Sequence, residues 1–234
     1  MKIGIVGSTP FNAGKANIID PRVKVLKQMF NAPKEVYIQA EIVTDQAKLF
    51  ETDGLLCPAE NKLDVIVNDM EFVETRLERA ADAVEKAFLE RCKQQLEKEQ
   101  LIHEMSFSEA EKALAASYSM LSVRPVYLAC AEELESRDAL LVKVYYHSGF
   151  ISFFTAGDKD SHAWSIRKGQ NAYEAAGAIH TDIQRGFIRA EVIGYEQLVQ
   201  DGGLSKARAN NHLRLEMKEY VVHDGDYMVI RTNK

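Results

Sequence analysis

The chain opens on an apolar run, Lys2-Ile3-Gly4-Ile5-Val6, which predicts a short strand. It passes at once into Gly7-Ser8-Thr9-Pro10-Phe11-Asn12-Ala13-Gly14-Lys15, a stretch of turn formers that predicts a loop. Asp20-Pro21 has the order of an N-cap followed by proline at the first helical position, and Val23, Leu26 and Phe30 recur at helical spacing until Pro33. Residues 35–43 are β-branched and partly alternating, which predicts a strand. From 69 to 99 Gly and Pro are absent, and Val73, Leu77, Ala80, Val84 and Ala87 form one apolar stripe on a charged helix. Past Arg91 the stripe moves to Phe88, Cys92 and Leu96, a phase change that predicts a bend or two tandem helices in a helical arm at about 69–102. The arm reads as an amphipathic element packed on its neighbours, with a partner-binding coiled coil as the second reading.

Ser108 with Glu111 makes a capping box ahead of Ala113, Leu114, Tyr118 and Leu121, so a helix starts there. Pro125-Val126-Tyr127-Leu128-Ala129-Cys130-Ala131 has the continuity of a strand buried on both faces. Residues 133–148 read two ways, since Leu140 to Tyr146 favours a strand and Glu133-Leu134-Glu135 favours a helix. After Gly149 the pattern changes to aromatic and β-branched runs around 150–155, 163–166, 187–193 and 227–231, with a helix at 171–179. That order describes an α+β sheet with one packed helix, and a domain boundary falls near 149.

Composition adds little to this except through charge. The 234 residues carry 29 basic and 35 acidic groups, a net charge of −6, and the excess lies wholly in residues 1–148; residues 149–234 hold 11 of each sign. No window reaches the roughly 20 apolar residues of a membrane span, and the opening run is too short for a signal peptide, which places the protein in the cytoplasm with no membrane partner. Cys57, Cys92 and Cys130 lack metal-site spacing and read as buried apolar residues.

The loop at 7–16 has the strongest claim to chemistry. A phosphate-binding loop needs Gly-x-x-x-x-Gly-Lys-Ser/Thr between a strand and a helix, so that backbone N–H groups wrap phosphate and the hydroxyl binds magnesium. Gly7, Asn12, Gly14 and Lys15 are the nucleotide-binding candidates, but six residues separate Gly7 from Gly14, and Ala16 has no oxygen for a metal. Hydrolysis, weak phosphate binding and a structural remnant all stay open, and the two departures favour the last. His180-Thr181-Asp182 reads as a turn, and the paired carboxylates Glu132-Glu133 and Asp158 with Asp160 as solvated surface. No catalytic or metal residue is assigned. Arg167, Lys168, Arg185 and Arg189, with Lys206, Arg208 and Arg214, supply basic positions for RNA or another partner if they meet in space.

Several blocks in the second half carry a family resemblance. Phe153-Phe154-Thr155-Ala156-Gly157, Ala163-Trp164-Ser165-Ile166-Arg167-Lys168-Gly169, Ala175-Ala176-Gly177-Ala178-Ile179-His180-Thr181-Asp182, Arg185-Gly186-Phe187-Ile188-Arg189-Ala190-Glu191-Val192-Ile193 and Asp224-Gly225-Asp226 closely resemble the TGS domain of Obg-like ATPases, the YchF family. Upstream, Gly4-Ile5-Val6-Gly7 resembles the family's P-loop strand, and Asp20-Pro21-Arg22 a segment soon after switch one. Leu89-Glu90-Arg91-Cys92 with Gln95-Leu96-Glu97 resembles the returning arm of its helical hairpin. The resemblance implies a reduced α/β P-loop NTPase-like domain with a helical arm over 1–148 and a ubiquitin-like β-grasp TGS domain over 149–234. It also implies a helix for 133–148.

The chain departs from the family at three nucleotide elements. The P-loop is altered, Gln39-Ala40-Glu41-Ile42-Val43 stands where Asp-x-x-Gly is expected, and Cys130-Ala131-Glu132-Glu133 replaces the base-reading Asn-x-x-Glu. The resemblance therefore implies a shortened, non-hydrolysing relative that acts through its TGS domain on the ribosome, RNA or a protein partner, with no DNA partner. The rival reading is a nucleotide-binding protein in which Gly14 and Lys15 hold GTP or ATP, with magnesium, and turn it over slowly. A third makes the acidic arm an assembly surface.

Overall fold

The computed structural model describes residues 1–233 and divides into two compact units. The first comprises Met1–Ala16 and Gln39–Ser148; the second comprises Asn17–Ile38 and the residues from Gly149 onward. Residues 17–38, expected with the first domain, thus pack in the second unit, for a reason given below.

The first unit is built on a five-stranded sheet. β1 (Lys2–Ile5), β4 (Ile38–Val43), β5 (Gly54–Pro58) and β6 (Val126–Ala129) pair in parallel, and β2 (Gly14–Ile18) lies on the edge beside β4, giving the order β2-β4-β1-β5-β6. β5, which the sequence pattern does not mark, is buried along its whole length between β1 and β6. Its signal is the short apolar run between Asp53-Gly54 and Pro58. β6, expected to be buried on both faces, is an edge strand with Tyr127 and Leu128 half-buried.

The helical arm is a hairpin of α2 (Lys62–Leu77) and α3 (Ala83–Leu96). The break lies at 78–82, not near Arg91, because Asp82 caps α3 by accepting from Val84 and Glu85 N–H. Val84 is therefore exposed, as is Ala87, while Phe88, Leu89, Cys92 and Leu96 join Val65, Ile66 and Val73 in the core. Full burial contributes roughly 1.5–3 kcal/mol for each large apolar side chain such as Phe88 or Leu89. α4 (Glu109–Ser117) starts on the expected capping box. Residues 131–147 form α5 (Ala131–Leu134) and α6 (Arg137–His147), as the resemblance implies. Cys130 is exposed at the start of α5 and not buried, whereas Cys57 and Cys92 are buried.

His103 introduces a pH dependence into this unit. Its Nδ1 is buried without a hydrogen-bond partner among the described residues, its ring meets His147 edge to face at 5.8 Å, and its backbone N–H donates to the Ser122 carbonyl. Burial first, then His147, lowers its pKa from the ordinary value, against a smaller opposing pull from Glu104. The unfolded chain then binds the proton more tightly, so stability is fully present above the unfolded value of about 6.5 and is lost as pH falls toward the folded one. Denaturation midpoints should fall between pH 7.5 and 5.5, with a flatter slope in His103→Asn.

The second unit holds a six-stranded sheet in the order β10-β9-β11-β7-β8-β3. Its strands are β3 (Glu35–Val36), β7 (Phe150–Ala156), β8 (Ser161–Arg167), β9 (Phe187–Gly194), β10 (Arg214–Glu216) and β11 (Asp226–Thr232). β7 and β8 form an antiparallel hairpin and β11 returns parallel to β7, the β-grasp arrangement. α7 (Ala172–Ile179), capped by the Asn171–Glu174 box, buries Ala172, Ala175 and Ala176 against Ile151, Phe153 and Ile166. Short helices α8 (Thr181–Arg185), α9 (Tyr195–Asp201) and α10 (Leu204–Ala209) connect the strands. His180 caps α8, its Nδ1 accepting from Asp182 N–H at 3.1 Å.

Side chains alternate across a strand, so Phe154 faces away from Phe153. That second face takes α1 (Pro21–Phe30): Phe30 stacks on Tyr227 at 5.0 Å, Arg22 lies 4.9 Å over the Phe154 ring, and Val23 and Leu26 are fully buried. β3 then adds an edge beside β8. The strand expected over 35–43 is therefore two, interrupted at Tyr37, with β3 and β4 in different sheets.

Candidate functional site

The loop after β1 shows what the first unit can hold. Val6 N–H donates to the Leu56 carbonyl at 2.9 Å, which keeps the chain against β5 for one further residue. Gly7 then turns at φ +71°, which favours glycine, and a Cβ there would have to displace the Asn61 side chain, whose Oδ1 would lie 2.4 Å away. Phe11 is buried beneath the Arg137 guanidinium, 5.4 Å from its ring. At Gly14, φ +131°, the chain enters β2.

β2 corrects the strand–loop–helix context expected for residues 2–30. A phosphate grip requires the first turn of a helix directly after the loop, because that turn supplies the unpaired N–H groups and the positive end of the dipole. Here a strand occupies that place, with Ala16 and Ile18 buried and Lys15 exposed. Gly7 and Asn12 line one polar cavity of about 260 Å³ with Ser8, Thr9, Thr44 and Gln46. Gly14 lines a neighbouring cavity of about 200 Å³ beside Lys2, Glu41 and Asp45. The two cavities share Ala13 and Thr44, and Lys15 lines neither. Ala16 offers no side-chain oxygen to a metal, and the 260 Å³ cavity is lined by the hydroxyls of Ser8, Thr9 and Thr44 with no cation, while Lys2 and Lys48 line its neighbour. Among the described residues no group of three or more His, Cys, Asp or Glu is placed to hold a metal.

In the second unit the basic candidates separate. Arg167 ends β8 with its guanidinium 4.0 Å over the Phe150 ring, and Lys168 is exposed in the turn that follows. Arg185 is exposed at the end of α8, with Asp182 3.9 Å away. Arg189 lies on β9, separated from β8 by β11 and β7, a span of roughly 14 Å at ordinary strand spacing.

Arg189 belongs instead to a cluster that the linear sequence hides. The register sets it directly opposite Arg231 on β11. Arg231 contacts Glu191 at 2.7 Å, and Arg208 contacts the same carboxylate at 3.1 Å from the other side. Burial alone would raise the Glu191 pKa, but the two guanidiniums outweigh it and hold the carboxyl below its usual value. Two guanidiniums thus meet one carboxylate while Arg189 stands opposite Arg231 in the register, so the positive charges here outnumber the single negative one, and like charges directly opposed on a sheet repel. Leu215, 60% exposed, sits opposite Glu191 on β10. Arg231 was not among the sequence candidates; its signal is a polar residue ending an apolar strand, which acquires meaning only with the β9/β11 register.

Residues 150–233 match the protein family YchF-GTPase_C, described as of unknown function. Over 236 aligned residues the chain is 31% identical to the ribosome-binding ATPase YchF of Bacillus subtilis, covering 73% of this chain and 64% of that relative. It is 49% identical over 82 residues to the ribosome-binding ATPase YchF of Haemophilus influenzae, covering 35% of this chain and 23% of the relative. Against Obg-like ATPase 1 of Homo sapiens it is 44% identical over 81 residues, 35% of this chain and 20% of that one. The chain thus spans less than two thirds of the length of these relatives. The fold is similar to that of the Schizosaccharomyces pombe YchF GTPase, with a TM-score of 0.77 at 18% identity, covering 99% of this chain and 97% of that one.

Proposed function

We propose that the chain is a member of the family of YchF and Obg-like ATPases that does not hydrolyse nucleotide and works as a binding module through its second unit. The observation that carries this reading is β2: the loop from β1 runs into a strand at Gly14 where a phosphate grip needs a helix. The exposed edge position of Lys15 and the absence of an oxygen at Ala16 support it. Several relatives bear the name ribosome-binding ATPase, which favours the ribosome as partner. The Arg189–Arg208–Arg231 patch supports a phosphate-rich surface such as ribosomal RNA, met by residues 149–234 acting as a TGS domain in the cytoplasm. Among the described residues no helix is long and apolar enough to cross a membrane.

Calorimetry with ATP and GTP, with and without magnesium, tests the first half. No saturable heat is expected at millimolar nucleotide, and Lys15→Ala should change nothing. Saturable binding abolished by that substitution would establish the rival, a nucleotide-binding protein with slow turnover, for which the 260 Å³ polar cavity leaves room. Ribosome co-sedimentation tests the second half. Three phosphate contacts predict a loss of affinity of about tenfold or more between 50 and 200 mM salt. The double variant Arg189→Gln, Arg208→Gln should weaken binding and shallow that slope; unchanged sedimentation and slope would exclude the patch.

A further inference from the structure

A second, larger cavity lies elsewhere in the first unit, a cleft of about 780 Å³ between one face of α2 and the residues that end α4. It belongs neither to the loop after β1 nor to the arginine patch. Asn68, Phe72, Thr75 and Arg76 of α2 reach it at helical spacings of three and four, with Arg79 from the turn that follows, while the opposite face of α2 enters the core through Val65, Asp69 and Val73. Tyr118 and Phe50 also line the cleft. Phe50 and Phe72 are only half-buried, with the Phe72 and Tyr118 rings 5.4 Å apart, so the cleft offers an aromatic wall that water covers poorly.

Charge gives the wall a direction. Arg76 Nε donates to Glu85 Oε1 at 2.6 Å, and its guanidinium lies 5.7 Å from the Tyr118 ring centre, while the Tyr118 hydroxyl donates to the same Glu85 carboxylate. Glu85 is 8% exposed, so Arg76 is held in place and its charge is matched. Arg79, one turn further on, has no ion pair or side-chain hydrogen bond among the described residues and remains the available cation. Glu71, the cleft's own carboxylate, lies on α2 eight residues before Arg79, which sits in the turn past the end of that helix. An anionic group is therefore favoured at the Arg76–Arg79 end and disfavoured at the Glu71 end.

We propose that this cleft binds a small aromatic anion, a planar ring joined to a phosphate or carboxylate, with the ring on Phe72, Tyr118 and Phe50 and the anionic group at Arg79 and the outer edge of Arg76. Guanidinium supplies a planar fork of donors to either anion, and the neighbouring hydroxyl of Thr75 adds a neutral donor. A volume of about 780 Å³ lies within the usual range for small-molecule sites.

Fluorescence titration of 1-naphthyl phosphate with the full chain provides the test, since this probe carries both parts. Saturable binding is expected, weakened at least about tenfold by Arg79→Met, the loss of one charge-assisted contact. Arg79 is exposed and without a side-chain partner, so circular dichroism should show that variant folded as wild type. Glu71→Gln should tighten binding about twofold by removing the opposing charge, an effect that a purely structural role does not produce. 1-Naphthol should bind at least tenfold more weakly, and inorganic phosphate at the probe's concentration should not displace it. The proposal is overturned if wild type shows no saturable binding, if folded Arg79→Met binds equally, or if either half of the probe binds as tightly as the whole.

Discussion

Asp69→Ala is expected to destabilise the first unit by about 3 kcal/mol, in the range for removing one member of a buried charged network. Asp69 sits in α2 with no solvent exposure and ties that helix to the segment after α4. Its Oδ1 accepts from Leu121 N–H at 2.6 Å, and its Oδ2 accepts from Ser122 N–H at 2.7 Å and the Ser122 hydroxyl at 2.5 Å. Without the carboxylate, two buried backbone donors and a hydroxyl lose their acceptor in a place water does not reach. Burial dominates the Asp69 titration and pushes its pKa up, against the opposing Ser122 and Leu121 hydrogen bonds and the Arg124 charge. Asp69→Asn is not conservative, because either orientation of the amide points an NH₂ group at a donor. Its loss should approach that of alanine, about 2 kcal/mol, measured by denaturation followed in far-UV circular dichroism. A loss under about 0.5 kcal/mol for both variants would show that the 119–122 segment is not anchored by this carboxylate.

Asp69 also marks where the sequence becomes unreadable. It looks like any charged residue on a charged helix, and only a tertiary partner 52 residues away in the chain makes it a buried anchor. Features set within one turn were legible: the Asp20-Pro21 start of α1 and the Ser108–Glu111 box are local hydrogen bonds written in adjacent residues. The missed Asp82 cap was equally local, but the continuing apolar stripe masked it. Features set by pairing were not legible. β2 is an edge strand whose Gly14 and Lys15 read as loop chemistry, and its hydrogen-bonding partner β4 lies beyond α1. α1 carries Val23 and Leu26 as a generic apolar stripe, and nothing in it says which sheet will bury them. The arginine cluster around Glu191 joins β9, β11 and α10, so it exists only once strand register is fixed.

The other large effect is expected in the second unit, where Arg22→Ala should cost about 3 kcal/mol. Arg22 Nη2 contacts Asp20 Oδ2 at 2.7 Å and Nη1 contacts Asp224 Oδ2 at 2.8 Å, so one guanidinium bridges the cap of α1 to the loop before β11. Asp20 is 2% exposed, and Asp224 also accepts the Ser152 N–H of β7 at 2.9 Å. Removing the guanidinium leaves two carboxylates with less compensation and uncovers the Phe154 ring beneath it. Arg22→Lys should recover little, since a point charge on a flexible stem does not bridge two carboxylates as a planar fork does. Trp164 is the chain's single tryptophan and lies in this unit, stacked on His162 at 3.6 Å, so its emission reports the second unit. Arg22→Ala should lower the thermal midpoint seen by Trp164 by about 10 °C or more. A double-mutant cycle with Asp224→Ala should return a coupling of about 1 kcal/mol or more, because the two residues share one contact network. Additive losses would mean that Arg22 and Asp224 are not energetically coupled, and that Arg22 acts through Asp20 and the Phe154 ring instead.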